Sequence, residues 1–106
     1  MQTDQSAVLT ALADPSRRQA LELLARGPLA VGELAGRLPI SRPAVSQHLR
    51  VLSEAGLVTS TAVGTRRVYA VRPEALAMLR DWLDVMWRDS LAAFAAAVDD
   101  ETGEAR

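Results

Sequence analysis

One histidine, His48, and no cysteine stand in a chain of 106 residues. Without cysteine there is no disulfide, no thiolate metal site and no thiol nucleophile, and a single imidazole has no second imidazole with which to share a metal or relay a proton. Asp81, Asp84 and Asp89 offer oxygen within one segment, yet no histidine, cysteine or lysine lies beside them to complete a catalytic pair. Most enzyme mechanisms therefore lose their usual residues, and recognition chemistry remains. The stretch 41–50 reads Ser-Arg-Pro-Ala-Val-Ser-Gln-His-Leu-Arg and carries guanidinium, carboxamide and hydroxyl groups at helical spacing. In a major groove arginine can pair bidentately with guanine and glutamine with adenine, while serine is a short donor for phosphates or base edges.

The charge distribution points the same way. The net charge is only −1, but residues 14–72 hold nine arginines against four acids (Asp14, Glu22, Glu33, Glu54), a balance of +5. Residues 73–106 hold three arginines against eight acids, a balance of −5, and Asp4 supplies the remaining unit. Attraction of a polyanion depends on local charge density and not on the sum, so the middle of the chain is the candidate surface for phosphates. Every basic residue is arginine. Codon bias in a G+C-rich genome explains that more readily than selection for bidentate contacts.

These residues need elements to hold them. Val8, Leu9 and Leu12 predict a short first helix within residues 1–13. Asp14-Pro15 then supplies an N-cap and a residue suited to the first turn of a second helix over about 15–26, closed by Gly27-Pro28. Val31, Leu34, Ala35 and Leu38 predict a third helix over 31–38, ended by Pro39. A fourth starts after Ser41 as N-cap and ends before Gly56, burying Val45, Leu49 and Leu52. Burial of those three turns Arg42, Pro43, Ser46, Gln47 and Arg50 outward, with His48 at the border as either a packing residue or a phosphate contact.

From Leu57 the period changes. Residues 57–63 and 67–72 are rich in Val, Thr and Tyr and flank Gly64-Thr65, which predicts a β-hairpin with Arg66 and Arg67 at its tip. Pro73 opens a last helix expected to reach about Val98, roughly 39 Å at 1.5 Å per residue. Leu76, Leu79, Leu83, Met86, Leu91, Phe94 and Val98 form a broad apolar stripe, widened by Trp82 and Trp87. That leaves one domain over residues 1–98 and a loose acidic tail over 99–106. No apolar run approaches a membrane span, and Met1-Gln2-Thr3-Asp4 has neither a basic region nor a hydrophobic core; the expectation is a cytoplasmic protein.

A short-turn helix pair directly before a hairpin is the layout of a winged helix-turn-helix, in the order α-α-α-α-β-β-α. The run from Ser41 through Leu49-Arg50-Val51-Leu52-Ser53-Glu54-Ala55-Gly56-Leu57-Val58 resembles the signature of the ArsR/SmtB family of bacterial transcriptional repressors. Asp14-Pro15-Ser16-Arg17-Arg18 resembles the family's second helix and Val31-Gly32-Glu33-Leu34-Ala35 its third, so the likeness covers about residues 8–90. The resemblance implies a homodimer that binds a palindromic double-stranded DNA operator. DNA contacts are then expected from Ser41, Arg42, Pro43, Ser46, Gln47, His48, Arg50, Arg66 and Arg67. Dimer contacts are expected from Val8, Leu9, Leu12, Leu79, Trp82, Leu83, Met86, Trp87, Leu91 and Phe94.

The resemblance also marks a departure. Metal-sensing relatives place two cysteines where this chain has Ala30 and Gly32, and histidines on the last helix that are missing here, so no metal and no other cofactor is expected. The Trp82 to Trp87 segment resembles a metal-free subgroup and leaves room for an unknown organic effector, although dimer packing accounts for the same residues more simply. Arg17 and Arg18 could touch phosphate or only solubilise their helix. The competing function class is a winged-helix module of antitoxin or anti-sigma type that binds protein and little DNA.

Overall fold

The computed structural model describes residues 4–104. They divide into two compact units, one ending at Leu76 and one beginning at Ala77.

The first unit contains four helices and a small sheet. Helix α1 (Gln5–Leu12) is capped by Asp4, whose carboxylate accepts from the Ser6 N–H at 3.0 Å. Helix α2 (Pro15–Leu24) starts as the sequence predicts, with Pro15 in the first turn and the Asp14 carboxylate accepting from the N–H groups of Ser16 (2.8 Å) and Arg17 (3.3 Å). Helix α3 (Val31–Ala35) is shorter than expected, because the chain already turns at Gly36. Helix α4 (Arg42–Glu54) follows Ser41, whose Oγ accepts from the Ala44 N–H at 3.3 Å.

The end of α4 is fixed by two backbone bonds. Gly56 N–H donates to the Ser53 carbonyl and Leu57 N–H to the Leu52 carbonyl, at 3.0 and 2.9 Å. Gly56 takes φ +81°, the left-handed conformation that this helix ending requires and that a side chain disfavours. Leu52 and Leu57, at the two ends of this motif, are both fully buried.

The sheet has one strand more than the sequence predicts. Strands β2 (Val58–Val63) and β3 (Arg66–Val71) form the expected hairpin, and β1 (Leu29–Ala30) pairs antiparallel with β3 on its other side, in the order β1-β3-β2. Leu29 lies opposite Tyr69 and Ala30 opposite Val68. Two residues after Gly27-Pro28 carry no alternation to read, so only the distant partner reveals this strand. At the hairpin tip Gly64 has φ +62° and Thr65 a negative φ, which fits a two-residue turn with glycine first.

The core of this unit is apolar throughout. Val8, Leu34, Val45, Leu49, Leu52 and Leu57 are completely buried, joined by Ala20, Leu24 and Val58, and α4 packs on both α2 and α3. Val8 corrects an expectation: it belongs to the protomer's own core, so it has no surface to offer a second copy.

The second unit is the body of helix α5 (Pro73–Glu104), whose first residues belong to the first unit and whose Ala75 is buried there. The helix passes the expected stop at Val98 and continues through Asp99 and Asp100 to Glu104, since nothing in that stretch before Gly103 opposes helix formation. A loose tail over 99–104 is therefore corrected, and the last two residues lie outside those described. Along α5 large apolar side chains stand open: Phe94 is 69% exposed, Trp87 63%, Val85 55% and Leu83 54%.

Asp14 ties fold stability to pH. Its carboxyl is held below the usual carboxylate range, chiefly by the Ser16 N–H, with the Arg17 N–H, the Arg17 guanidinium and His48 adding to the effect against partial desolvation. A depressed native pKa means that the cap contributes fully above the ordinary aspartate value and is lost as pH falls through the lowered one. Asp14→Asn keeps a capping oxygen that does not titrate. Thermal unfolding should then show the wild type losing its advantage over Asp14→Asn below about pH 4; parallel melting curves for the two proteins down to acid pH would count against the cap as a source of acid lability.

Candidate nucleic-acid interface

The outward face of α4 follows from its inward one. With Val45, Leu49 and Leu52 removed from water, Arg42, Pro43, Ser46, Gln47 and Arg50 are exposed, as the sequence predicts, and so is Ser41 at the N-cap. Among the described residues no side-chain hydrogen bond or ion pair engages Arg42, Ser46, Gln47 or Arg50. These groups are thus held in place by the helix and not by partners, which leaves their donors and acceptors available to a ligand. His48 stands apart. It is half-buried, and its Nδ1 is shielded from solvent with no hydrogen-bond partner among the described residues, so its ring serves the packing side of α4 more than its reading edge.

The wing is tied down at its base. The Arg72 N–H donates to the Leu57 carbonyl at 2.8 Å and its guanidinium to the Gly56 carbonyl at 3.2 Å, which fastens the foot of β3 to the end of α4. Arg66 and Arg67 are both exposed near the tip, but alternation along a strand sends neighbouring residues to opposite faces of the ribbon. Arg67 lies opposite Ala62 and donates to Ser60 Oγ at 2.9 Å, a diagonal cross-strand contact. Arg66 instead donates to the Glu33 carboxylate on α3.

Between α3, the start of α4 and the wing tip lies an open cleft of about 530 Å³, lined by Arg42, Arg66, Arg67, Glu33, Thr65 and the residues that open α3. Gly32 lies beside Arg42: a Cβ there would stand 3.9 Å from the guanidinium, an ordinary contact. Glu33 accepts from the Ala30 N–H at 3.0 Å, and this bond, followed by the positive charges of Arg66 and Arg37, keeps its carboxyl below the usual range.

Arg17 and Arg18 have a task that sequence reading missed. Arg17 donates to the carbonyls of Ala11 (2.7 Å) and Thr10 (3.4 Å), and Arg18 to those of Leu12 (2.6 Å) and Ala13 (3.3 Å). Both guanidiniums close the C-terminal end of α1, where unpaired carbonyls and the helix dipole favour a cation. The signal was present in the spacing, since arginines just after a capped helix start can fold back over the preceding turn.

Neither metal ligands nor a membrane span emerges from the described residues: no three of His, Asp and Glu converge on one point, and no helix is long and apolar enough to cross a bilayer.

Comparison with known proteins gives this geometry a family. Residues 14–60 match the sequence model of the bacterial regulatory proteins of the arsR family. The HTH-type transcriptional regulator Rv2034 of Mycobacterium tuberculosis is 57% identical over 91 residues, covering 86% of this chain and 85% of that protein. The transcriptional repressor SdpR of Bacillus subtilis is 32% identical over 76 residues, covering 72% and 84% respectively. Among solved structures, the homodimeric winged helix-turn-helix DNA-binding domain of a Mycobacterium bovis protein superposes with a TM-score of 0.65 at 33% identity, over 79% of this chain and 78% of that one. Sequence identity over most of both chains and the structural superposition agree, and the chain belongs to the arsR family of bacterial regulatory proteins, with the winged helix-turn-helix fold.

Proposed function

We propose that this chain is a sequence-specific DNA-binding repressor that grips a palindromic operator as a homodimer and takes no metal inducer. The observation that carries the reading is the exposed edge of α4, where Arg42, Ser46, Gln47 and Arg50 stand without partners among the described residues on a helix anchored by its buried face. Gln47 and Arg50 are the residues best suited to read bases, and Ser41, Arg42 and Ser46 to meet phosphates or base edges beside them. Pro43 shapes the first turn, and His48 supports the helix from behind. Arg67, on the wing face that carries only Ser60 as its partner, supplies a phosphate contact.

A second copy of the chain accounts for the remaining apolar surface. Leu9 is 41% exposed on α1, and Trp82, Leu83, Met86, Trp87, Leu91 and Phe94 are open on α5, with Leu12 and Leu79 partly so. Two copies also provide two recognition helices, which must sit roughly 34–36 Å apart to enter successive major grooves of one DNA face. Metal independence follows from donor chemistry: thiophilic ions need thiolate and borderline ions favour imidazole, while this chain has no cysteine and a single histidine. Regulation then falls to an organic ligand, a protein partner or the level of expression.

Base reading and phosphate attraction separate in a pair of substitutions, measured by fluorescence anisotropy on a genomic fragment selected by the protein and on random duplex. Gln47→Ala should cost about 1–3 kcal/mol on the selected fragment and little on random DNA, whereas Arg67→Ala should weaken both and flatten the salt dependence. Zinc, nickel, cadmium or arsenite added to the same assay should leave the affinity unchanged. Equal losses on both DNAs for Gln47→Ala would move that residue to the phosphate-contacting class, and a stoichiometric metal response would refute metal independence.

Assembly has its own test. Sedimentation should find a dimer at micromolar concentration that Phe94→Glu together with Leu83→Glu converts to a monomer, with loss of tight DNA binding; a wild-type monomer under those conditions would contradict the proposed assembly.

A further inference from the structure

Glu33 is the only acid among the residues lining the cleft between α3, α4 and the wing, and it is held there from two sides. One carboxylate oxygen, Oε1, accepts from the Ala30 N–H and from the Arg66 guanidinium at once. The Ala30 bond belongs to the start of α3, so the carboxylate cannot follow the wing outward; Arg66 must come to it. Both side chains are about half exposed, so the pair lies where phosphates approach, and the carboxylate, fixed by its backbone bond, stays beside Arg66. A phosphate that reached Arg66 in this position would also meet the charge of Glu33.

We infer that Glu33 is a positioning residue that restrains sequence-independent DNA affinity, by withholding Arg66 from phosphates while leaving the reading edge of α4 untouched. The inference rests on the DNA-binding reading above and assigns the two wing arginines different tasks. Non-specific association depends almost entirely on how many phosphates the protein neutralises, each one releasing counterions. Arg67, bonded only to a serine hydroxyl, counts toward that number; Arg66, bonded to a fixed carboxylate, does not. Base readout by Gln47 and Arg50 involves neither, so the carboxylate lowers the background of random binding without touching sequence discrimination.

The test is the salt dependence of binding to a random-sequence duplex, measured for the full chain and three variants. Glu33→Gln keeps an oxygen for the Ala30 N–H but removes the charge that holds Arg66. It should bind random DNA more tightly at low salt, with a slope of log affinity against log salt steeper by about 0.9, one phosphate contact. Arg66→Ala alone should leave the wild-type slope unchanged, and Glu33→Gln with Arg66→Ala should return to it. Three results would overturn the inference: an unchanged slope for Glu33→Gln, a gain that persists when Arg66 is absent, or a flattened slope for Arg66→Ala alone. Should Glu33→Gln lose helix content by circular dichroism, Arg66→Ala, which leaves the α3 cap intact, decides the matter by itself. Absence of any salt-dependent binding by the wild type would fall on the DNA reading and take this inference with it.

Discussion

Three side chains on one face of α4, Val45, Leu49 and Leu52, are removed from water completely, and the rest of the molecule is arranged around that burial. Each fully buried leucine or valine contributes roughly 1.5–3 kcal/mol relative to leaving it wet, so rotating the helix to hide a different face would forfeit a large part of a small domain's stability. The opposite edge is thereby committed to solvent. The caps at both ends of α4 add to this: Ser41 fixes where the helix starts, and the Gly56 turn fixes where it stops and where the wing begins. A recognition surface needs side chains held within a fraction of an ångström without using up their polar groups on the protein itself. Here packing behind the helix does the holding, and Ser46, Gln47 and Arg50 keep their donors and acceptors for a ligand.

Net charge alone describes the interface poorly. The excess of arginine over residues 14–72 suggests a uniformly basic surface, yet the guanidiniums differ in what they touch. Arg17 and Arg18 neutralise the end of α1, Arg66 meets Glu33, Arg72 fastens the wing, and Arg67 leans on a serine. Arg42 and Arg50 remain on the α4 edge without such partners among the described residues. On the proposed reading, attraction to DNA comes from a subset placed around one helix and one side of a β-ribbon, a distribution that favours a defined seat over diffuse attachment.

Local chemistry was readable before the structure, and long-range pairing was not. Asp14-Pro15, Ser41 with Pro43, and Gly56 marked helix ends because capping acts over three or four residues, and Gly64 marked the hairpin for the same reason. The α4 reading edge followed from its apolar period. Strand β1 escaped because its hydrogen bonds go to Val68 and Tyr69, far along the chain, and Leu29-Ala30 has no pattern of its own. The Glu33–Arg66 pair spans 33 positions and was equally invisible, so the two wing arginines looked alike. Val8 belonged to an apolar helical stripe together with Leu9 and Leu12, but periodicity cannot tell which member of a stripe meets the protomer's own core. The end of α5 lies beyond Val98 because the acidic residues that follow are as compatible with a continuing helix as with a tail.

On the proposed reading, the outward edge of α4 and the Arg67 face of the wing form the surface that meets DNA. Amide chemical-shift perturbation, recorded while a duplex is titrated into labelled protein, tests it most directly. The largest changes should fall on Arg42, Ser46, Gln47, Arg50 and residues 64–67, while the exposed residues of α2, such as Gln19 and Glu22, stay unmoved. Perturbations centred on α1, α2 or the apolar length of α5, with the α4 edge silent, would contradict it.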